Sequence, residues 1–261
     1  MKKLTFILLA FVLIASACKK DENEEDKPTE LTPKKEINVA VLEQTGTWCG
    51  ACPSAATILH ELGSEYGNRI VSLAMHGANG DPMEIAAFNS FRQDRNSSYF
   101  PSFFIPEERV TTSQSSCESA INTAKSKTVK AAIAIESKIA DGKITVRTKT
   151  KFFSALTGNY YLAIYVTEND IDGGPNSGVY NQTSGGSSYK HQHVVRAVSS
   201  ESTFWGASIV SNPSNGQEIE KDYTINIGSG WNSSKLHVSA VLWQTGGGGT
   251  HSYVFVNAVN E

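Results

Sequence analysis

The chain has 261 residues, of which 39% are hydrophobic and 19% charged, and its formal net charge is -3. That length suits one large domain or two medium ones, each able to bury a core. The slightly acidic balance has no basic stripe, which argues against nucleic acid as a partner. The four cysteines, Cys18, Cys49, Cys52 and Cys117, form no obvious disulfide framework, so each needs its own reading.

Met1-Lys2-Lys3 is followed by a nearly all-apolar run from Leu4 to Ala15. A short positive region and a short apolar run make a secretory signal; a spanning helix needs about 20 apolar residues, and this run is shorter. The run ends Ile14-Ala15-Ser16-Ala17-Cys18, which resembles the lipobox of bacterial lipoproteins, with Ala15 where Leu is usual. The resemblance implies removal of residues 1–17 and a lipid on Cys18; the alternative is ordinary signal cleavage with Cys18 incidental. Lys19-Lys20-Asp21-Glu22-Asn23-Glu24-Glu25-Asp26 reads as a solvated tether. It also resembles the acidic export signal of surface lipoproteins of Bacteroidetes. The tether is expected over 18–36, and loss of Lys2 and Lys3 would take the mature charge from -3 to -5. No other stretch is long and apolar enough to cross a membrane.

Ile37 to Leu42 predicts a buried strand, and Glu43 to Trp48 the end of that strand and a turn. A helix opens at Cys49-Gly50-Ala51-Cys52-Pro53 and carries Ala55, Ala56, Ile58, Leu59 and Leu62 at helical spacing, until Gly67-Asn68 stops it. Arg69 to His76 is a second strand. Asp81-Pro82 is expected to cap a helix over Met83 to Arg95. Tyr99 to Ile105 enters a third strand, and a polar-faced helix covers Ser113 to Lys127. This alternation predicts an α/β domain over 37–127 with a central mixed sheet flanked by helices. From Val129 onward about seven strand-like segments alternate with Gly, Asn and Ser turns, Asp141-Gly142 being a strong hairpin signal. They predict an all-β sandwich over 128–261. Gly246 to Gly249 reads as a hairpin loop, since no helix or Lys follows to make a phosphate cradle.

Cys49 and Cys52 fall where a strand gives way to a helix. There the macrodipole and the free N–H groups favour a thiolate. Cys49 is expected to be exposed and to attack; Cys52, one turn on, is expected to be partly buried and to resolve the mixed disulfide. A fixed structural disulfide is the alternative. Zinc is disfavoured because no second C-x-x-C or spaced His pair completes a tetrahedral set. Cys117, on the last helix of the first domain, reads as a buried inert thiol.

Glu43 lies six residues before Cys49, and Pro101 sits in a Phe-Pro-Ser step ahead of a strand. With these, residues 37–127 resemble a thioredoxin-fold domain. The resemblance implies that Glu43 is the buried carboxylate that exchanges protons with Cys52, and that Pro101 is the cis-proline facing the disulfide and docking the substrate backbone. Trp48 and Phe100 would flank that site. A surface Glu43 and an ordinary trans Pro101 are the bland alternatives.

The stretch from Leu42 to Pro53, His76 with Asp81-Pro82, the run from His191 to Arg196, and Trp231-Asn232 together resemble the Omp28-type outer membrane lipoproteins of Bacteroidetes. Gln44 departs from the aromatic expected after the carboxylate, and Phe100 is bulkier than the residue common before the cis-proline. The resemblances imply an outer membrane lipoprotein at the cell surface or periplasmic face. The protein would be a thiol–disulfide oxidoreductase acting on protein thiols or disulfides, with the Cys49–Cys52 pair as its redox group and no separate cofactor or metal. The competing reading is a surface binding protein or adhesin in which the thioredoxin fold is a scaffold. His191 and His193, two apart on an expected strand, would share a face; a structural role is favoured over a metal site completed by His237 or His251. Glu168-Asn169-Asp170-Ile171-Asp172-Gly173 lacks the spacing of a calcium loop and reads as an acidic loop.

Overall fold

A computed structural model describes residues 29–200, 202–245 and 251–261. The signal segment, Cys18, most of the tether and the Gly246–Gly249 loop lie outside the described residues. In chain order the first half contains β1 (Val39–Thr45), α1 (Cys52–Tyr66), β2 (Ile70–His76), α2 (Phe88–Asp94), β3 (Ser102–Phe104), β4 (Arg109–Val110) and α3 (Gln114–Lys125). The second half contains β5 (Ala131–Ala140), β6 (Lys143–Phe152), β7 (Asn159–Glu168), β8 (Ile171–Asp172), β9 (Lys190–His191) and β10 (Val194–Val198). It ends with β11 (Ala207–Ser211), β12 (Glu218–Asn226), β13 (Leu236–Thr245) and β14 (Tyr253–Asn260). Among the described residues no helix is long and apolar enough to cross a membrane.

The fold is mixed α/β, mostly strands, built on one large mixed sheet. Its order is β14-β13-β7-β10-β2-β1-β3-β4, with β11 also paired to β7. β1 and β10 run parallel to β2, and the other pairs are antiparallel. A three-stranded sheet, β12-β6-β5, and the short pair β8-β9 complete it.

The expectation of a self-contained sandwich after residue 128 is corrected here. β5, β6 and β12 do pack face to face with β7, β13 and β14, around Ile133, Val146, Phe152, Leu162, Ile164 and Leu242. But that second layer is the same sheet that carries β1 and β2. The junction is the pairing of Val194 with Ala74, and the Ala74 N–H donates to the His193 carbonyl at 2.8 Å. Without β10, β2 would leave a row of open backbone groups at its edge.

Strand alternation assigns the two faces of the sheet. Val39 and Val41 pack with Ala55, Leu59 and Leu62 of α1 and Ile121 of α3. Ala40 and Leu42 pack on the opposite face with Phe88, Phe91, Phe204, Trp205 and Trp243. Glu43 has the parity of Val39 and Val41, so it points toward α1.

Local signals explain several boundaries. Ser113 caps α3 by accepting the Ser116 N–H at 3.3 Å. Asp141 and Gly142 both take positive φ, as a two-residue hairpin requires. The second helix is shorter than expected, and Asp81 does not cap it. Its Oδ1 accepts the Met83 N–H at 2.9 Å and its Oδ2 accepts the Thr47 N–H at 2.7 Å. Asp81 therefore ties that loop to the segment entering the cysteine pair.

Candidate redox site

β1 ends at Thr45, and four residues later the chain reaches a disulfide between Cys49 and Cys52. The turn is held by the Cys49 N–H to the Gly46 carbonyl at 3.1 Å and the Cys52 N–H to the Cys49 carbonyl at 3.2 Å. Cys52 opens α1, with Pro53 next, where a missing N–H leaves no helical bond unmade. The disulfide therefore sits at the positive end of a 15-residue helix dipole. Position 46 must be glycine: a Cβ there would lie 2.6 Å from Nε1 of Trp48.

Trp48 donates from Nε1 to the Gly77 carbonyl at 3.1 Å, and its ring lies 4.8 Å from that of Phe100. The Phe100–Pro101 peptide is cis. Gln44 donates to the Tyr99 carbonyl at 3.0 Å and stands opposite Ser102 in the β1–β3 ladder. These contacts bring Trp48, Phe100 and Pro101 together beside the end of β1.

Glu43 is 1% exposed, and its Oε1 has no hydrogen-bond partner. Burial pushes its carboxyl up to about 8, against the lowering effect of a hydrogen bond with the Thr45 side chain. It is thus a protonated acid at neutral pH on the α1 side of the sheet. Asp81 behaves oppositely. Burial would raise its pKa, but hydrogen bonds and charge attraction from His76, with the N–H groups of Met83 and Thr47, hold it below the usual carboxylate range.

The expectation of an exposed Cys49 is overturned. Cys49 is 5% exposed and Cys52 is 1% exposed, and the chain between β8 and β9 bonds to the turn that carries Cys49. Gln182 donates from Nε2 to the carbonyls of Gly46 at 3.2 Å and Cys49 at 2.9 Å. The Thr183 N–H donates to the Thr47 carbonyl at 2.7 Å. A Cβ on Gly50 would meet Ser184 Oγ at 3.4 Å and Thr183 Cγ2 at 3.7 Å. Sequence reasoning missed this cover. Residues 173–189 carry no apolar period, and their only signal is a density of Gly and Ser.

His191 and His193 do not share a face. His193 has φ +56°, which breaks the expected strand between β9 and β10. His191 donates to the Tyr180 carbonyl at 2.8 Å if Nε2 carries the proton, and its ring lies edge-on to His76 at 5.1 Å. His193 instead turns toward His60, with ring centroids 6.1 Å apart. Burial lowers both to about 4, assisted at His191 by His76 and at His193 by His60 and His237. His251 bonds elsewhere, to the Asp94 carbonyl at 2.8 Å. Among the described residues no three His, Cys, Asp or Glu side chains are grouped to hold a metal ion. In the acidic loop each carboxylate faces a cation: Glu168 with Arg196 at 3.3 Å, Asp170 with Lys235 at 2.5 Å, Asp172 with Lys190 at 3.3 Å. Cys117 is buried, and burial pushes its thiol up to about 11.

The site so built is a buried disulfide at a helix N-terminus and a buried carboxyl on the strand face that packs against that helix, on a mostly-β mixed α/β frame. The profile of the family "Outer membrane protein Omp28" matches residues 88–260, and the chain belongs to that family and so to the outer membrane. The matched region includes Pro101, residues 173–189 and the His191–Arg196 run, but it begins after the cysteine pair. Among solved structures, HBP35 of Porphyromonas gingivalis is similar with a TM-score of 0.70 and 18% identity, over 88% of this chain and 76% of that one. Protein AGR_C_4864 from Agrobacterium tumefaciens follows with a TM-score of 0.54 and 14% identity, over 87% and 95%. At such identities the likeness concerns the fold alone. A domain of the outer membrane lipoprotein Omp28 from Porphyromonas gingivalis also aligns, with a TM-score of 0.33 and 17% identity over 51% and 86%, and adds no argument. No curated protein is significantly similar in sequence.

Proposed function

We propose that the protein is a thiol–disulfide oxidoreductase held at the outer membrane by a lipid on Cys18 and the tether over 18–36. Residues 37–127 would be its thioredoxin-like part. The observation that carries the reading is the Glu43 carboxyl, 1% exposed and with no hydrogen-bond partner on Oε1, on the face of β1 that packs against the helix beginning at Cys52. A buried acid without a charge partner is costly to stability, and beside a dithiol it has a use as a proton carrier.

In the reducing direction the Cys49 thiolate attacks a protein disulfide. A Cys49–substrate disulfide forms, and one substrate thiolate leaves and takes a proton. Glu43 first releases its proton; Cys52 then gives its own proton to that carboxylate and attacks the Cys49 sulfur. The second substrate thiolate leaves, and the Cys49–Cys52 disulfide is restored. Two electrons have passed from the pair to the substrate. The oxidising direction is the reverse. Pro101 and Phe100 would seat the substrate strand, with Trp48 at its flank.

The test is trapping. Cys52→Ser should accumulate a mixed disulfide through Cys49 with protein thiols of the cell envelope, and Cys49→Ser should accumulate none. Equal trapping by the two variants, or none by either after reduction, contradicts the proposal. One observation favours a second reading, a surface binding protein with a fixed disulfide: the burial of Cys49.

A further inference from the structure

The cover over the disulfide is fastened at three places. Its stem is the β8–β9 pair, Ile171 opposite His191 and Asp172 opposite Lys190. Above the stem the Gln182 N–H donates to the Gly173 carbonyl at 2.8 Å, and the Gly173 N–H to the Tyr189 carbonyl at 3.0 Å. Gly173 cannot carry a side chain, since a Cβ would lie 2.6 Å from His191 Nε2. The second fastening is aromatic. Arg196 lies 5.8 Å from the Tyr180 ring and 5.3 Å from the Trp231 ring, and it is fixed by Glu168, whose other oxygen accepts the Asn232 N–H at 2.8 Å. The third is the set of contacts from Gln182 and Thr183 to the turn that carries Cys49.

The fastenings differ in kind. The first two hold the base of the segment with a ladder, a buried ion pair and ring contacts. The third is three hydrogen bonds from the tip, two of them from the Gln182 side-chain amide. Net of solvent each such bond contributes little, so the tip is held less firmly than the base. The tip lies between Gln182, whose N–H stays with the base, and Gly185 and Gly186, where backbone rotation is least hindered.

We infer that residues 173–189 form a strap that gates the disulfide, with Gln182 as its latch. Closed, the strap shields both sulfurs. Open, with the base still fastened, it exposes Cys49 and frees the Thr47 carbonyl for an incoming chain. The motif residues His191, Arg196, Trp231 and Asn232 then have a shared task, which is to hold the base of the strap. The gate builds on the redox reading, but its test is a rate and not a potential.

The test uses the full-length chain in detergent and dithiothreitol as the probe. One dithiothreitol thiolate attacks a sulfur of the pair, and the partner cysteine leaves as thiolate. The second dithiothreitol thiol then closes its own ring and releases the other cysteine. Two electrons enter the pair and dithiothreitol is oxidised. Gln182→Met keeps the bulk of the latch and removes its donors. It should speed reduction about tenfold, the equivalent of about 1.4 kcal/mol of lost latch, while Ser177→Ala, at the base, should leave the rate unchanged. Hydrogen exchange gives a second readout that does not depend on the variant folding. In the native protein the Thr183 N–H should exchange faster than strand amides such as Leu42 and Ala163. The gate is overturned if folded Gln182→Met is reduced at the native rate, or if the Thr183 N–H exchanges as slowly as those strand amides. A potential outside the working range would sink the redox reading and leave the gate standing.

Discussion

The two ends of the large sheet are held together by different physics. At the β7–β13–β14 end, both faces are closed by apolar side chains that alternate along each strand. At the β1–β3 end, where the chain leaves β1, the same sheet carries a buried acid, an Asp–His pair and a disulfide under a polar strap. The first end is arranged for stability. The second accumulates groups that cost stability, which is where function is expected.

The contrast can be broken most forcefully in the apolar end. Phe152 is fully buried and meets Tyr160 edge-on at 5.1 Å. Phe152→Ala should lower unfolding free energy by about 3–5 kcal/mol, read by denaturant titration, and leave the potential of the cysteine pair unchanged. A shifted potential would mean that the two ends are not separable.

Glu43→Gln tests the polar end. The folded pKa of Glu43 is raised to about 8 from the ordinary 4.5. Below pH 4.5 both states hold the proton and nothing is lost. As pH rises from there to 8, the unfolded chain ionises first, so the native protein loses stability, about 5 kcal/mol in all. His191 and His193, lowered to about 4, act in the opposite sense: stability rises between pH 4 and 6.5 as the unfolded chain releases protons that the native imidazoles never held. Together these groups put the maximum near pH 6.5 (about). Glu43→Gln should flatten the alkaline limb, raising Tm at pH 8 and hardly at pH 4.

The smallest effect is expected far from both regions. Ser113→Ala removes the cap of α3 and should cost about 1 kcal/mol, visible in Tm and invisible in thiol exchange. A change in exchange would show that α3 positions the site.

Much of this was legible in the residues. The apolar runs of β1 and β2, the spacing of Ala55, Leu59 and Leu62, the Ser113 cap and the Asp141-Gly142 hairpin are local signals, and they placed their elements within a few residues. What escaped reading depends on distant parts of the chain. The pairing of Val194 with Ala74 joins the two halves across 120 residues, and nothing local to β10 announces its partner. Residues 207–211 are only partly covered, and their weak pattern hid an edge strand. Asp81 had the form of a helix cap, but its carboxylate serves the Thr47 and Met83 N–H groups instead. The left-handed turn at His193 separated two histidines that strand periodicity had put together. Of the site, Cys49, Cys52, Glu43, Trp48, Phe100 and Pro101 were visible as candidates; the strap was not, because a Gly- and Ser-rich segment says nothing about what it covers.

The reduction potential of the Cys49–Cys52 pair tests the central claim most directly, measured by equilibration with glutathione or dithiothreitol and with Cys49→Ser as the control. The account predicts a value between about -120 and -270 mV, the range of working oxidoreductases. A value below about -300 mV, typical of a structural disulfide, would contradict it and leave the surface binding protein as the reading of this chain.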